Sequence, residues 1–450
     1  MNHILNTLYD LISGIFPLVL LILCGVFLSI KGKFFQITRF FESIKLFKKA
    51  YTAKKGKEFS SFKAACTSLS AAVGTGNIAG VAGAVSIGGA GAVFWMWVSA
   101  LFGMAIKAAE ITLAVKFREK HGCEYSGSPM HYIKNGLSKR YKPLAYLFCF
   151  AGIPSVFCTG NITQTNAAVS SLNLTFVPRL ILGLIFCLLT LLVTIGGFST
   201  IGAFTEKIVP LMSVLYIIIC GSVIIFNIDF LPSAFKMIIK GAFNPKAVTG
   251  GAVGSAITSA LIGAERGIFS NEAGLGTAGI AHSAATDADP KYQGLFGIVE
   301  VFVDTILLCT LTALTLLCSG IELSYGTPSS SPLVIKAIST LYSNASTPLI
   351  SVMLCLFAFS SIIGWAAYGQ IFTEFALPQK YKRYFLYIYP LGCIIGAVAN
   401  TEFAWNIAAF FNGIMLLINL PVLILLNDKA LTFLNKRGKK DVRKKSEFNK

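Results

Sequence analysis

The sequence predicts an all-α integral membrane protein with about eleven transmembrane helices. Of its 450 residues, 55% are hydrophobic and only 13% are charged, about half the charged share of a typical soluble domain. The mean hydropathy of +0.71 leaves too few polar residues to cover a surface in water. Apolar stretches of helical length recur along the chain, and a backbone in lipid is satisfied only by helices or closed barrels.

Eleven segments have the composition of membrane-spanning helices. Each approaches or exceeds the roughly 20 residues that a helix needs to cross a bilayer, and all are too long for strands. They cover approximately residues 11–30, 62–87, 90–116, 144–170, 177–196, 203–227, 250–282, 291–318, 347–376, 383–399 and 404–427.

The spans from the second onward divide into two groups of five. We expect an N-terminal helix with a basic segment (1–60), a first five-helix half (61–230), a second five-helix half (231–430) and a basic tail (431–450). Because five is an odd number, consecutive halves cross the membrane in opposite orientations. The sequence therefore predicts a 5+5 inverted repeat preceded by one extra helix.

Lysine and arginine outnumber acidic residues, which gives a formal net charge of +18, and they cluster beside the apolar spans. The clusters are 31–63, 116–142, 380–383 and 436–450. Basic loops mark the cytoplasmic side, so we expect a multi-pass protein of the inner (plasma) membrane, with its N-terminus outside and its C-terminus in the cytoplasm. This distribution indicates contact of the tail with anionic lipid and argues against nucleic acid as a partner.

The polar residues do not follow the patterns of a metal site, a cofactor site or an enzyme active site. The eleven cysteines and four histidines are scattered and form no C-x-x-C pair, so we expect free thiols and no cofactor. Gly74-Thr-Gly76 lacks the remaining features of a dinucleotide fingerprint. The stretch Leu11–Ile30 lacks a basic n-region and a cleavage site, so we expect a retained helix and not a signal peptide. The sequence contains no repeat that resembles a selectivity filter, so it does not indicate an ion channel.

Two spans carry glycines and polar residues where an ordinary span carries leucine and isoleucine. They contain Ser70–Gly80 in the second span and Gly263–Gly276 in the seventh. Glycine-interrupted spans at corresponding positions of two halves are typical of a transporter binding site. We therefore expect two helices that break within the membrane.

The first of these segments centres on Val73-Gly-Thr-Gly-Asn77. Glycine lets the backbone leave the helix without a steric penalty. A break frees N–H groups at one half-helix end, which can hold a carboxylate, and carbonyl groups at the other, which can hold a cation. The alternative is that these small residues only allow close helix packing, but Asn77 at membrane depth favours a binding site.

The second segment places six notable residues together: Glu265, Arg266, Phe269, Ser270, Asn271 and Glu272. Charges inside a membrane span are costly and are usually paired or functional. We expect Arg266 to form a structural ion pair that braces the broken helix. Phe269 and Ser270 are better candidates for substrate binding, because an aromatic ring can occlude a small ligand while freed backbone groups bond its ammonium.

The fourth and ninth spans add polar groups that cannot face lipid cheaply. In Gly160–Asn166, Gln164 could donate to a carboxylate, or the stripe could serve hydrogen bonds between helices. Ser360 and Ser361 offer hydroxyl oxygens for a sodium ion, or could bond back to their own helix. Trp365 lies about one turn further on and could close the same cavity.

Isolated charges complete the candidate residues. Lys107 and Glu110 are spaced i, i+3, so we expect them to pair on one helix face. Asp304, in the eighth span, could attract the coupling ion, carry a proton, or play a hydrogen-bonded structural role.

Several of these stretches resemble motifs of a known family, the alanine/glycine:cation symporters, also called sodium:alanine symporters. The longest is Gly88–Gly103, which includes Phe-Trp-Met-Trp, and the others are 73–77, 266–276 and Gly364-Trp365. The resemblance implies a leucine-transporter-type fold with one helix before the 5+5 repeat. It also implies a secondary active transporter, not an enzyme, that imports alanine or glycine with sodium by alternating access. The alternatives are a proton-coupled symporter and an amino-acid exchanger of the same fold.

The resemblance also assigns substrate contacts. The carboxylate would meet backbone N–H groups near Thr75 and Gly76, helped by the side chain of Gln164. Asn77 and the backbone of residues 269–271 would hold the ammonium.

By similarity to the wider fold, a sodium ion would lie between two backbone carbonyls and two hydroxyls. The carbonyls belong to Ser70 and Val73, and the hydroxyls to Ser360 and Ser361. Trp365 would line the pocket for the side chain of the amino acid. The family usually has Thr-Thr where this chain has the two serines, and both pairs supply hydroxyls.

Overall fold

A computed structural model describes most of the chain. The described residues are 11–12, 14–53, 59–121, 124–172, 177–251, 253, 255–323, 325–326, 330–378 and 381–436. The greater part of the predicted basic tail, 437–450, lies outside them, as does 54–58 of the first basic segment.

The described residues fold mostly into helices, as the composition predicts. The helices of the first half of the chain are α1 Ile15–Lys31, α2 Phe35–Thr38, α3 Phe40–Thr52, α4 Ser61–Ala72, α5 Ala79–Gly88, α6 Gly91–Lys116, α7 Pro129–Gly136, α8 Lys142–Phe157, α9 Thr163–Leu172, α10 Arg179–Thr194 and α11 Gly197–Phe226. Those of the second half are α12 Leu231–Phe243, α13 Lys246–Thr249, α14 Ala256–Asn271, α15 Thr277–Ser283, α16 Pro290–Gln293, α17 Phe296–Val301, α18 Thr310–Cys318, α19 Ser331–Tyr342, α20 Ser346–Ala376, α21 Lys382–Ile388, α22 Gly392–Val398, α23 Thr401–Leu425 and α24 Asn427–Leu434.

Shorter turns connect or continue several of these helices. Turns of π-helix cover Cys158–Ile162, between α8 and α9, and Phe302–Cys309, between α17 and α18. Single 3₁₀ turns cover Thr75–Asn77, Lys139–Tyr141, Ile228–Phe230, Ser343–Ala345 and Tyr389–Leu391.

Six helices among the described residues are long and apolar enough to cross a membrane. They are Gly91–Lys116, Lys139–Leu172, Gly197–Phe226, Pro290–Cys318, Ser331–Ala376 and Thr401–Leu425, with the turns inside them included. Each overlaps a predicted span. Three further predicted spans correspond to shorter apolar helices, Ile15–Lys31, Arg179–Thr194 and Tyr384–Val398. The total of eleven and the 5+5 arrangement stay predictions.

The two remaining predicted spans are the glycine-rich ones, and both are interrupted helices. In the second span, Ser61–Ala72 and Thr75–Gly88 meet at an angle of 58°. In the seventh, α14 ends at Asn271 and α15 begins at Thr277. Gly276 adopts φ +75°, and a Cβ there would lie 2.2 Å from Pro129 Cγ. Glycine is therefore required at this turn for both its conformation and its size.

Close packing against α6 fixes the position of the second break. A Cβ at Gly263 would lie 2.2 Å from the Ala92 carbonyl oxygen, and one at Gly267 would lie 2.2 Å from Ser99 Oγ. Small residues thus let the backbones of α14 and α6 approach closely, as is common between helices in lipid. The break in α14 consequently lies beside the second half of α6.

A short antiparallel hairpin accompanies the helices at the end of the bundle where α6 finishes. Its strands are β1 Glu119–His121 and β2 Glu124–Ser126, with Glu119 opposite Ser126. The guanidinium of Arg118 donates to the carbonyls of Ser283, Ala285 and Ala288 just after α15. The loops after α3, α6 and α15 therefore gather at one end, called the basic end below.

The helices predicted to meet lipid carry large apolar side chains on their exposed faces. Leu184, Leu188 and Leu192 project from one face of α10 and are about half exposed or more. Their i, i+4 spacing forms a continuous apolar stripe. An exposed stripe of this kind suits a hydrocarbon surrounding and not water. The cysteines that the structure describes are free thiols, as predicted.

Candidate ligand-binding site between two broken helices

The first break exposes backbone groups that nearby side chains meet. After α4 ends, the Gly74 N–H donates to Asn77 Oδ1 at 3.0 Å. The Thr75 N–H and hydroxyl both donate to Gln164 Oε1, at 3.2 and 3.0 Å. The predicted carboxylate site pairs Gln164 with the Thr75 N–H, and the structure brings these two groups into direct contact.

The second break places opposite charges at its two helix ends. The Lys107 ammonium donates to the carbonyl of Asn271, the last residue of α14, at 3.0 Å. The Gly276 N–H, just before α15, donates to Glu110 Oε1 at 3.1 Å. A helix carries partial negative charge at its C-terminus and partial positive charge at its N-terminus. Lys107 and Glu110 on α6 therefore match the polarity of the two half-helices.

The predicted ion pair between Lys107 and Glu110 is wrong. Lys107 pairs instead with Glu300, at 3.2 Å between Nζ and Oε2, and both side chains are buried. Glu110 Oε1 accepts from Asn419 Nδ2 at 2.6 Å. The i, i+3 spacing puts both groups on one face of α6, but the break in the facing helix offers each of them a better partner.

Glu300 is a buried centre that the sequence reasoning missed. Ser68 Oγ donates to Glu300 Oε2 at 2.6 Å, and His282 Nε2 bonds to Glu300 Oε1. With Lys107, these contacts join α4, α6, α15 and α17. Glu300 lies in the same apolar span as Asp304, and a carboxylate in such a span is usually paired or functional, so the residue type itself was the available signal.

Between the two breaks lies a small cavity whose lining residues are mostly buried. The space open to the centre of a water molecule is about 10 Å³, near the minimum that holds one water. The predicted residues that line it are Gly76, Gln164, Phe269, Ser270 and Trp365, and its other walls are Ala71, Ala72, Gly74, Thr159 and Glu272.

Trp365 is fully buried and forms one wall of this cavity because a glycine faces it. A Cβ at Gly160 would lie 2.3 Å from Trp365 Cβ and 2.4 Å from Cγ. The glycine of the predicted polar stripe therefore makes room for the indole. Thr159, beside it, reaches the cavity and was not predicted.

Asp304 joins the two breaks to the eighth predicted span. Its Oδ1 accepts from Asn77 Nδ2 at 2.7 Å, and its Oδ2 accepts from Ser270 Oγ and from Thr305 Oγ1, each at 2.8 Å. Asn271 Nδ2 donates to Thr305 Oγ1 at 3.2 Å. Asp304 lies in the π turn, and its carboxylate is fully buried. Asn77 and Ser270, one from each break, thus converge on one acidic side chain.

Of the two predicted sodium-binding hydroxyls, that of Ser361 contacts the first break. Ser361 Oγ donates to the carbonyls of Ala71 and Val73, at 3.1 and 3.4 Å. Ser360 Oγ is buried and has no hydrogen-bond partner in the described structure. A Cβ at Gly364 would lie 2.5 Å from Ser70 Oγ, which shows how closely α20 approaches α4. Ser361 and Gly364 of α20 therefore lie against Ser70, Ala71 and Val73, and Ser360 precedes Ser361 in the same helix.

The predicted structural ion pair of Arg266 is not found among the residues that the structure describes. The side chain of Arg266 also lacks a hydrogen-bond partner for Nε in this part of the chain. It lines a second, larger cavity together with Glu265. Glu265 is the only acidic residue among the described residues that line this cavity, and it lies on the same helix as Arg266.

The whole chain, residues 1–450, matches the sodium:alanine symporter family. The chain belongs to this family. It is 38% identical to the sodium/alanine symporter AgcS of Methanococcus maripaludis over 94% of each chain. It is 33% identical to the probable sodium/glutamine symporter GlnT of Bacillus subtilis, over 96% of this chain and 90% of that one. This sodium:alanine symporter family member is thus a multi-pass membrane transporter of the amino-acid/cation symport class.

Solved structures of a more distant transporter share the fold of this family member. The chain resembles a mutant of the manganese transporter of Eremococcus coleocola, with a TM-score of 0.52 at 17% identity. The match covers 83% of this chain and 85% of that one. At this identity the likeness concerns the fold alone.

Proposed function

We propose that this family member imports a small neutral amino acid, alanine or glycine, together with sodium by alternating access. The observation that carries the proposal is the small cavity between two broken helices, because their exposed peptide groups can hold both ends of a zwitterion. We place the N-terminus outside and the basic end in the cytoplasm, since basic loops favour that side.

The carboxylate of the amino acid is proposed to bind at the first break. The Thr75 N–H donates to Gln164 Oε1, and a carboxylate oxygen can replace that acceptor. A flip of the Gln164 amide would then turn its NH₂ toward the same carboxylate. The N–H of Gly76, on the cavity wall, supplies a further donor.

The ammonium is proposed to bind at the second break. The last carbonyls of a helix lack partners within it and carry partial negative charge. The Asn271 carbonyl already accepts from Lys107, so we assign the ammonium chiefly to the carbonyls of Phe269 and Ser270. Asn77, which bonds to Ser270 Oγ at 3.0 Å, orients that hydroxyl beside them.

The size of the cavity favours a small side chain. Phe269 and Trp365 provide two bulky walls, and Ala71 and Ala72 provide two flat ones. A cavity close to the size of one water molecule must widen even for glycine, and each added methylene requires further displacement of packed groups. Alanine and glycine are therefore the preferred substrates of this proposal.

Sodium is proposed to be co-transported in the site formed by Ser70, Val73, Ser360 and Ser361. The orphaned Ser360 hydroxyl and the Ser361 hydroxyl offer oxygen ligands from α20, while the end of α4 offers backbone carbonyls. Sodium there would be cargo, since it leaves with each transport cycle. Its binding would fix the end of α4 and so complete the carboxylate site, which is the reciprocal coupling that symport requires.

A proton is the alternative coupling ion, and Asp304 is the observation that favours it. Its fully buried carboxylate contacts both breaks, so protonation would change the hydrogen bonds that connect them. Asp304→Asn distinguishes the two ions. If Asp304 carries the coupled proton, the variant loses uptake driven by a pH gradient, whereas uptake driven by sodium requires no titration at this position.

The test of the proposal is a radiolabelled uptake panel in proteoliposomes. Alanine, glycine and glutamine are offered under an inward gradient of sodium, lithium or protons. We expect sodium to drive accumulation of alanine or glycine above the external concentration. Uptake that is indifferent to every cation gradient, or that prefers glutamine, would contradict the proposal.

A further inference from the structure

A second cavity lies next to the central one, on the side away from the basic end. The space open to the centre of a water molecule is about 560 Å³ in this cavity, compared with about 10 Å³ in the central one. Its walls include Gly83 and Ile87 of α5, Ser330, and Thr401 at the start of α23. These positions lie near the opposite end of the bundle, because α6 begins there at Gly91 and reaches the basic end at Lys116. We call this cavity the outer cavity.

Phe269 borders both the outer cavity and the central one, and its ring packs against Trp405. The rings of Phe269 and Trp405 lie 4.8 Å apart between centroids, and both side chains line the outer cavity. Phe269 also lines the central cavity, and Thr75 of the first break borders the outer one. A ligand in the outer cavity would therefore lie on the opposite side of Phe269 from the proposed central site.

One cationic and one anionic side chain line the outer cavity, and neither forms an ion pair with another residue that the structure describes. Arg266 Nε is buried without a hydrogen-bond partner, and Glu265 is exposed on the same wall. Charges in a membrane span are retained at a cost and mark ligand or ion pathways when they lack protein partners.

We propose that the outer cavity is a first binding site for the zwitterionic amino acid, distinct from the central site. The guanidinium of Arg266 binds the carboxylate, for which its planar fork is suited. The Glu265 carboxylate binds the ammonium. The amino acid then passes the Phe269–Trp405 pair into the central cavity. This inference rests on the proposed function, because it takes the same substrate as given.

The pair of charges gives the outer site a selectivity that the central cavity does not need to supply. One positive and one negative side chain complement a net-neutral ligand. A cationic or anionic amino acid would place its extra charge against a side chain of the same sign, or leave it without a partner. Discrimination of this kind comes from repulsion as much as from attraction.

The test uses the full-length protein in proteoliposomes and compares four variants in initial rates of sodium-driven alanine uptake. Arg266→Gln and Glu265→Gln remove one charge each. Arg266→Lys keeps the charge but not the fork. Arg179→Gln is the matched control, because Arg179 is an exposed arginine at the start of α10, at the same end of the bundle, and outside both cavities.

We expect Arg266→Gln to raise the KM for alanine about tenfold, the scale of one lost charge-assisted contact, with Vmax within about twofold of wild type. Glu265→Gln should raise the KM as well, Arg266→Lys should be intermediate, and Arg179→Gln should match wild type. Equilibrium binding of radiolabelled alanine to the same proteins in detergent should weaken in the same order.

Three results would overturn the proposal. The first is an unchanged KM in Arg266→Gln. The second is a fall in Vmax at constant KM, which indicates a structural role. The third is a difference between the variants that disappears when chloride is replaced by isethionate, which means that Arg266 binds chloride. Failure of the proposed function is visible separately, since wild-type protein would then show no sodium-driven uptake of alanine or glycine.

Discussion

Ser360 and Ser361 are consecutive residues of α20, yet their hydroxyls have different surroundings. Ser361 donates to two carbonyls at the end of α4, whereas the buried Ser360 hydroxyl has no partner in the described structure. Leaving a buried hydroxyl unpaired costs about 1–3 kcal/mol. A cation that takes Ser360 Oγ as a ligand would offset this cost, so sodium binding and order at the first break would be linked.

Ser360→Ala should therefore weaken sodium binding more than it weakens the fold. The variant removes one proposed ligand and also removes an unpaired buried hydroxyl. We expect the sodium concentration for half-maximal alanine uptake to rise about tenfold, with a thermal unfolding midpoint at or above that of wild type. Ser339→Ala, which removes a hydroxyl bonded within α19, serves as the control. An unchanged sodium dependence would place the ion elsewhere.

Gly160 offers a second test at the scale of a single residue. In Gly160→Ala the new methyl would lie 2.3 Å from Trp365 Cβ, so Trp365, which lines the central cavity, must move. We expect a loss of about 1–3 kcal/mol in stability and a strong reduction in alanine uptake, measured by thermal unfolding and initial rates.

The matched control is Gly221→Ala in α11, where a Cβ would meet nothing within 4 Å. Alanine is the better helix former, by roughly 1 kcal/mol. This variant should therefore keep or slightly raise the melting temperature and leave uptake unchanged. Equal behaviour of the two alanine variants would show that the Gly160–Trp365 contact does not shape the site.

At the scale of the elements, α6 organises the second break. It presents Lys107 to the end of α14 and Glu110 to the start of α15, and it holds α14 close through Gly263 and Gly267. Both charges are buried, so each depends on its partners in the protein and not on water. The break is thus a supported structure and not a defect in a helix.

Lys107→Met should be among the most destabilising substitutions in the chain. It leaves the Asn271 carbonyl without its donor and deprives the buried Glu300 carboxylate of a cation. Breaking a buried pair in this way costs about 3–5 kcal/mol, which should appear as a large fall in melting temperature. The exposed Lys336 of α19 provides the control as Lys336→Met, which should unfold like wild type.

A double variant makes the test sharper. Adding Glu300→Gln to Lys107→Met removes the negative charge that was left without a partner. The double variant should therefore lose less stability than the sum of the losses in the two single variants. Strict additivity would show that Lys107 and Glu300 do not stabilise each other.

The elements also show which parts of the fold are readable in the sequence. The long apolar spans and both breaks are predictable, because hydropathy and glycine placement are local signals. The partners of Lys107 and the surroundings of Arg266 are not. Glu300 lies 193 residues after Lys107, and the wall of the outer cavity is assembled from several distant helices. Spacing along one helix cannot show what the neighbouring helix presents, so the predicted Lys107–Glu110 pair was wrong and Arg266 has no ion-pair partner among the described residues.

The candidate site was readable to a similar degree. Gln164, Phe269 and Trp365 were selected because polar or aromatic residues at membrane depth need a reason, and all three line the central cavity. Thr159 and Glu300 are not predicted from the sequence, although one lines the central cavity and the other pairs with Lys107. Their contacts depend on the crossing of helices, which sequence periodicity does not encode.

At the scale of the whole molecule, the proposed transport cycle moves net charge. A neutral zwitterion that enters with one sodium ion carries one positive charge inward. A potential of 100 mV, negative inside, contributes about 2.3 kcal/mol to each such charge. We therefore expect alanine addition to evoke an inward current in proteoliposomes on a solid support, and uptake to rise when a potassium diffusion potential is imposed. Current-free uptake would rule out this stoichiometry.

Lys107 and Glu110 both belong to α6, and this has a mechanical consequence for the second break. The C-terminal end of α14 and the N-terminal end of α15 each bond to a side chain of α6, about one turn apart. Neither half-helix can therefore slide along α6 without breaking a buried hydrogen bond that water cannot replace. Ser360 and Ser361 belong to α20, which takes part in neither of these two hydrogen bonds. An ion bound by both α4 and α20 would hence connect two parts of the bundle that are held in place separately. Its release would leave the interface between α4 and α20 free to open.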